Sequence, residues 1–206
     1  MNVMQRIRDV GLVPVVRAAS ADQAFAAIEA IRAGGIPILE ITLTVPGAIQ
    51  IINTLTKHIG DEALIGAGTV LDADTAQQCI DAGARFIVSP ALDLPTIELC
   101  RRKEIPIFPG ALTPTEVVTA WRAGANAVKV FPASAVGGAT YLKSLKAPLP
   151  QIEMIPTGGV NLKNAADFIA AGAFALGIGA DLVSGEAAAI TEKARQYVAA
   201  VAAARS

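Results

Sequence analysis

Ala123-Gly124-Ala125-Asn126-Ala127-Val128-Lys129-Val130-Phe131 holds a helix end, a tight turn and an aliphatic strand in nine residues. Glycine after alanine closes a helix, because glycine takes the left-handed conformation that ends one at no steric cost. The Val-Lys-Val core of the run is short and β-branched, which suits a buried strand. The same pattern returns at Ala33-Gly34-Gly35, Ala82-Gly83-Ala84 and Ala171-Gly172-Ala173, each time ahead of another aliphatic run, at intervals of 41–49 residues. That interval is two strand–helix units, so the repeat implies about eight units over the chain.

Strands are predicted at Leu12–Val16, Ile36–Ile41, Leu64–Ala67, Phe86–Val88, Ile105–Phe108, Ala127–Val130, Glu153–Pro156 and Ala175–Ile178. Each precedes a helical pattern or a turn leading to one, and no linker interrupts the series. The expectation is an α/β fold, a (β/α)8 TIM barrel formed by residues 1–206 as a single domain. An open doubly wound sheet is the alternative. Ser20, Asp72 and Asn161 stand where helix N-caps belong. Thr113-Pro114-Thr115-Glu116 reads as a cap, a first-turn proline and an acid near the positive helix end. The Ala-rich segment from about Ala187 to Ala204 is expected to pack outside the barrel.

The 206 residues are 53% hydrophobic but only 4% aromatic, a balance suited to parallel strands covered by helices. A net charge of −1 gives no electrostatic reason for a nucleic-acid or anionic-membrane partner. No apolar run has the length of a membrane span, and the first ten residues lack a signal-peptide core. Cys79 and Cys100 have neither disulfide-framework nor zinc spacing and are read as packing thiols, so a cytoplasmic, reducing setting is expected. His58, the lone histidine, cannot build a histidine-rich metal site and reads as a surface or capping group.

In such barrels, reactive groups lie at the C-terminal ends of the strands. The polar residues found there are Arg17, Glu40, Thr69, Lys129 and Thr157. Strand alternation directs Lys129 inward if Val128 and Val130 face the helices, and directs Glu40 inward with Ile36 and Ile38. Burial among aliphatic neighbours disfavours the charged form of a lysine, and a neutral amine attacks ketones to give an iminium. The iminium draws electrons from a neighbouring C–C bond, and an inward carboxylate such as Glu40 shuttles the protons. A structural Lys129–Glu40 ion pair is the alternative reading. Two glycine loops, Pro156-Thr157-Gly158-Gly159-Val160-Asn161 and Gly177-Ile178-Gly179-Ala180, stand after the seventh and eighth strands, where barrels often hold phosphate. No nucleotide-binding motif is present, so a phosphorylated small molecule is the expected ligand.

Five ordered segments carry a family resemblance. Gly35-Ile36-Pro37-Ile38-Leu39-Glu40-Ile41-Thr42-Leu43 and Gly124 to Ala133 resemble the glutamate and lysine signatures of the 2-keto-3-deoxy-6-phosphogluconate (KDPG) / 4-hydroxy-2-oxoglutarate (KHG) aldolases. Gly66-Ala67-Gly68-Thr69-Val70, Pro109 to Glu116 and Pro156 to Val160 are similar to further segments of that family. The resemblance implies a class I aldolase, a lyase giving pyruvate and a phosphorylated aldehyde. It implies Lys129 as the Schiff-base lysine and Glu40 as general acid/base. It also implies Thr69 and the Pro90 backbone at the pyruvyl carboxylate, Phe131 as a pocket wall, and Thr157, Gly158, Gly159 and Gly179 at the distal phosphate end. Arg17 becomes an active-site cation. No metal or organic cofactor is implied, and the expected assembly is a homotrimer.

Two positions depart from the family pattern. Thr44 stands where arginine is frequent, and Ala180 where the loop often carries serine. Each loses a donor to the substrate, worth roughly 1.5–3 kcal/mol if the bond is to a charged group. Arg17 is expected to compensate in part for Thr44. The substrate expected first is a gluconate- or galactonate-type phosphorylated sugar acid giving pyruvate and glyceraldehyde 3-phosphate. The alternatives are 4-hydroxy-2-oxoglutarate cleavage to pyruvate and glyoxylate and, from a different class, a phosphate-binding barrel isomerase or synthase.

Overall fold

The structure is a computed structural model that describes residues 2–206. Its strands are β1 (Leu12–Val16), β2 (Ile38–Thr42), β3 (Leu64–Gly68), β4 (Ile87–Val88), β5 (Ile107–Phe108), β6 (Gly110–Ala111), β7 (Val128–Val130), β8 (Met154–Pro156) and β9 (Leu176–Ile178). Its α-helices are α1 (Val3–Val10), α2 (Ala21–Ala33), α3 (Ala48–Ile59), α4 (Ala73–Asp81), α5 (Leu94–Arg102), α6 (Pro114–Arg122), α7 (Gly138–Lys146), α8 (Ala165–Ala170), α9 (Ala180–Val183) and α10 (Ala187–Arg205). Parallel pairing runs β5-β4-β3-β2-β1-β9 in one sheet and β6-β7-β8 in another.

Both seams between these sheets are hydrogen-bonded. Thr157 bridges Gly177, and Phe174 N–H donates to Met154 O at 2.8 Å. On the other side, Asn126 N–H donates to Ile107 O at 3.2 Å and Lys129 N–H to Pro109 O at 2.9 Å. The parallel sheet therefore curls round to close an eight-unit α/β barrel. Nine strand segments arise from eight units because Pro109, which has no N–H to give, parts β5 from β6.

Two apolar layers follow from the strand period. Leu39, Ile41, Val128, Val130 and Met154 pack outward against the helices. Val13, Ile38, Phe86, Phe108 and Ile155 fill the barrel interior. The N-terminal end of the barrel is stoppered by α1, an element the sequence reading lacked. Asn2 caps it by accepting from Met4 N–H at 2.9 Å, and Gly11 ends it at φ 70°. The apolar residues Val3, Ile7 and Val10, spaced for one helix face, sit under the interior cluster, with Ile7 wholly buried there.

Several boundaries differ from expectation. β2 begins at Ile38 rather than Ile36, because Ile36 N–H bonds back to Ile31 O (3.3 Å) as part of the α2 cap. Ile36 accordingly packs in the outer layer and does not point inward beside Glu40. β5 starts two residues late, at Ile107, after Pro106. Asn161 does not cap α8; it opens a turn whose Asn164 precedes the helix. Its Oδ1 accepts from Lys163 N–H at 3.0 Å. Ser20 and Asp72 do cap their helices, and Thr113 with Glu116 forms a reciprocal capping box. The last helix packs outside the barrel against α2 and α8, as its composition suggested.

Candidate active site

Glu40 occupies the middle of β2, with its register partners Val15 on β1 and Gly66 on β3. Leu39 and Ile41 take the helix-facing positions, so alternation leaves Glu40 pointing into the barrel, 2% exposed. Two residues on, Gly68 supplies the space for it. A Cβ on Gly68 would lie 2.0 Å from Glu40 Oε1, so any larger residue displaces the carboxyl group. Glycine inside a strand is a sequence signal for close approach; the partner is visible only in three dimensions.

Lys129 occupies the middle of β7, opposite Ile155 of the interior layer, while Val128 and Val130 face the helices. Its other register neighbour is Gly110, where a Cβ would lie 2.2 Å from the Pro90 carbonyl carbon. That glycine admits the Pro90 backbone to the lysine's side of the barrel. Lys129 is 4% exposed, and its Nζ lies 3.7 Å from Glu40 Oε1. The separation is an ion-pair contact but longer than a hydrogen bond. Glu40 Oε1 is buried without a hydrogen-bond partner. Burial pushes the Glu40 carboxyl above the ordinary carboxylate range, against the opposing pull of Lys129 and Arg17. A carboxyl group raised in this way holds its proton more readily than an exposed one, as a group that must both give and take a proton requires.

Above the pair opens a cavity of about 630 Å³ lined by Val15, Arg17, Phe131, Thr157, Gly158, Gly159, Val160, Asn161, Gly179, Ala180 and Asp181. It meets the buried pair at Phe131, whose ring centre is 5.4 Å from Lys129 Nζ, and at Val15 beside Glu40. Seven of the anticipated residues, Arg17, Phe131, Thr157, Gly158, Gly159, Gly179 and Ala180, thus share one cavity wall. Gly158 and Gly159 adopt φ 88° and 77°, and a Cβ on Gly159 would meet the Ser134 side chain at 2.3 Å. Only glycine fits both demands, so the loop lies flat against the cavity with its backbone available to a ligand.

The remaining anticipated residues lie elsewhere. Thr69, just past Gly68, carries φ 61°, a conformation costly for a β-branched residue and common at functional sites. Thr69 and Pro90 stand on the Glu40 and Lys129 sides of the pair and are not part of the cavity wall. Thr44 lies in the turn between β2 and α3. It lines a separate shallow groove with Leu43 and Pro46 to Gln50, and its hydroxyl is bound to that of Thr42 at 2.8 Å. Thr42 Oγ1 is tied in turn to Val16 O, and Thr44 is not part of the wall of the larger cavity. Sequence reasoning passed over Gly68, Gly110 and Asp181.

Burial pushes the Cys79 thiol up to about 11 and Cys100 to about 12, which suits packing groups. His58 lies exposed, its Nδ1 2.7 Å from Thr54 O in the preceding turn. Among the described residues, no three His, Cys, Asp or Glu side chains gather as a metal site, and no helix is long and apolar enough to cross a membrane.

An amine and an acid this close in a dry interior serve a chemistry in which a ketone becomes an iminium and the bond beyond it breaks. Architecture and pair together define an imine-forming barrel lyase. Comparison with known proteins narrows that class: the family described as "Aldolase: KDPG and KHG aldolase" matches residues 3–201, and the chain belongs to it. The 2-dehydro-3-deoxy-6-phosphogalactonate aldolase of Escherichia coli K12 is 38% identical over 83% of this chain and 83% of its own length. The KHG/KDPG aldolase of the same strain is 35% identical over 77% of this chain and 74% of its own. The KDPG aldolase of Legionella pneumophila, solved with pyruvate captured at low pH as a covalent carbinolamine intermediate, superposes with a TM-score of 0.86. It is 33% identical, covering 93% of this chain and 96% of that one.

Proposed function

We propose that the chain cleaves a 2-keto-3-deoxy-6-phospho sugar acid, of gluconate or galactonate type, to pyruvate and glyceraldehyde 3-phosphate. The observation that carries this reading is the buried Lys129 Nζ, 3.7 Å from an otherwise unpartnered Glu40 oxygen, beside a glycine-lined cavity. The Lys129 lone pair attacks the C2 ketone. Glu40, directly or through one water, delivers the proton with which the carbinolamine hydroxyl leaves as water. The carboxylate then takes the proton of the C4 hydroxyl. The C3–C4 bond breaks, its electron pair passes into the enamine, and the aldehyde departs. Glu40 returns the proton to C3, and water hydrolyses the iminium to pyruvate and free lysine. A raised Glu40 serves this cycle, because both of its protonation states are used.

Thr69 and the Pro90 backbone orient the pyruvyl carboxylate, and Phe131 walls off the imine. Arg17, Thr157 and the backbone of Gly158, Gly159, Gly179 and Ala180 hold the phosphorylated end. The chemistry asks for no metal or organic cofactor. We read residues 1–206 as one catalytic domain, working in the cytoplasm as a homotrimer. The exposed Leu71, Leu94 and Trp121 are consistent with subunit contact.

Cleavage of 4-hydroxy-2-oxoglutarate is the second reading. It is favoured by a cavity whose wall, among the described residues, offers Arg17 as its one cation and an alanine at position 180. Pyruvate release from the two phosphorylated acids and from 4-hydroxy-2-oxoglutarate separates the two. The first reading expects kcat/KM about 10–100-fold higher for a phosphorylated acid, the value of one charged hydrogen bond. Equal or faster cleavage of the unphosphorylated acid overturns it.

A further inference from the structure

The cavity that receives the distal end of the substrate also contains a carboxylate, Asp181, the second residue of α9. A free carboxylate there opposes any phosphate that the neighbouring glycine loops accept. The structure does not leave it free. Tyr197 of α10, wholly buried, donates its hydroxyl to Asp181 Oδ2 at 2.5 Å. Lys193, one turn earlier on α10, donates its Nζ to the Asp181 backbone carbonyl at 2.7 Å and lies 3.8 Å from Oδ1. Positions four apart share a helix face, so both groups reach the same residue from one side. Burial and Asp181 together push the Tyr197 hydroxyl well above its ordinary range, which keeps it a donor. For packing alone, phenylalanine would serve in that position.

We propose that Tyr197 and Lys193 are positioning residues that set the anion preference of the substrate's distal end, holding Asp181 against α10 with its charge balanced so that a phosphate group is admitted beside it. The inference rests on the aldolase reading and adds to it a route by which α10, remote from Lys129, selects among aldehydes. Without the Tyr197 hydroxyl, the carboxylate is released toward the cavity and repels the dianion. An aldehyde lacking phosphate is not affected.

The test is the condensation of pyruvate with glyceraldehyde 3-phosphate or with unphosphorylated glyceraldehyde, run on the parent chain, Tyr197→Phe, Lys193→Met and Tyr197→Phe/Asp181→Asn. Tyr197→Phe is expected to raise KM for the phosphorylated aldehyde about tenfold, the scale of repulsion between like charges a few ångströms apart in a partly solvated site. KM for glyceraldehyde and the yield of borohydride-trapped pyruvate on Lys129 stay at parent values. Adding Asp181→Asn restores the phosphorylated KM, because the repelling charge is gone. A loop that had merely lost order would raise KM for both aldehydes and would not be rescued. An unchanged KM ratio in Tyr197→Phe, or a changed ratio that Asp181→Asn does not restore, overturns the proposal. If Tyr197→Phe does not fold, Lys193→Met, altered at a side chain 35% exposed, gives the same comparison with a smaller shift, and no shift there overturns the proposal. Absence of the trapped adduct in the parent chain overturns the aldolase reading itself and this inference with it.

Discussion

Replacing Lys129 with methionine keeps an unbranched apolar stem, one atom shorter than lysine, and removes the charge. At an effective dielectric of 20, the 3.7 Å separation from Glu40 corresponds to an attraction of about 4.5 kcal/mol. Breaking a buried pair by deleting one partner typically costs about 3–5 kcal/mol, because the other charge is left unpaired. The cost depends on pH with a definite sign. Glu40 already titrates above its ordinary 4.5, and the variant loses the lysine that held it down. A carboxyl group whose folded value exceeds its unfolded value binds more protons when folded, so stability falls as pH rises beyond the unfolded value. The loss starts near pH 4.5 and grows by up to about 1.4 kcal/mol per pH unit until the folded group has ionised. Urea unfolding of Lys129→Met and Lys129→Met/Glu40→Gln from about pH 5 to 8 reads this directly. The two variants should be nearly equal at the acid end, with the single variant less stable by about 3 kcal/mol at the alkaline end. Parallel stability profiles across that range would refute the claim that Glu40 is a buried charge balanced by Lys129.

Further outcomes follow from the same geometry. Gly68→Ala puts a methyl group where the Glu40 carboxyl sits, so kcat should fall by about tenfold or more with the chain still folded; a parent-like kcat shows that the position of Glu40 is not critical. Arg17→Ala removes a cation that lowers Glu40, so the Glu40 limb of the pH–rate profile should move to higher pH as KM for the phosphorylated acid rises; parent activity and profile count against any role for Arg17. Ile7→Ala empties the centre of the α1 stopper and should cost about 2–5 kcal/mol in urea unfolding with little change in KM; a loss under about 1 kcal/mol means that α1 does not close the barrel.

The sequence was most legible where a periodic rule governed it. The returning Ala-Gly helix ends gave the number of units, and strand alternation placed Lys129 and Glu40 inside the barrel. Prolines and glycines caused most boundary errors, because their backbone effects are local: Pro109 splits one unit into β5 and β6, and the α2 cap withholds Ile36 from β2. The α1 helix was overlooked because its charged residues mask the Val3, Ile7 and Val10 face. Thr44 was read from motif position, and its bond to the Thr42 hydroxyl is a contact that position in a motif does not record. The tight approaches at Gly68 and Gly110 and the Asp181–Tyr197 bond join residues distant in the chain. No local pattern records such contacts; an isolated strand glycine marks only that something passes nearby.

Catalysis as described here requires one buried amine to form a covalent bond with the substrate ketone. Incubation with pyruvate and sodium borohydride, followed by intact-mass measurement and peptide mapping, tests it directly. One reduced pyruvyl adduct per chain is expected, located on Lys129 and lost in Lys129→Met. Release of pyruvate from the sugar acid with no adduct, or with the adduct on another lysine, would rule out Lys129 as the imine-forming residue.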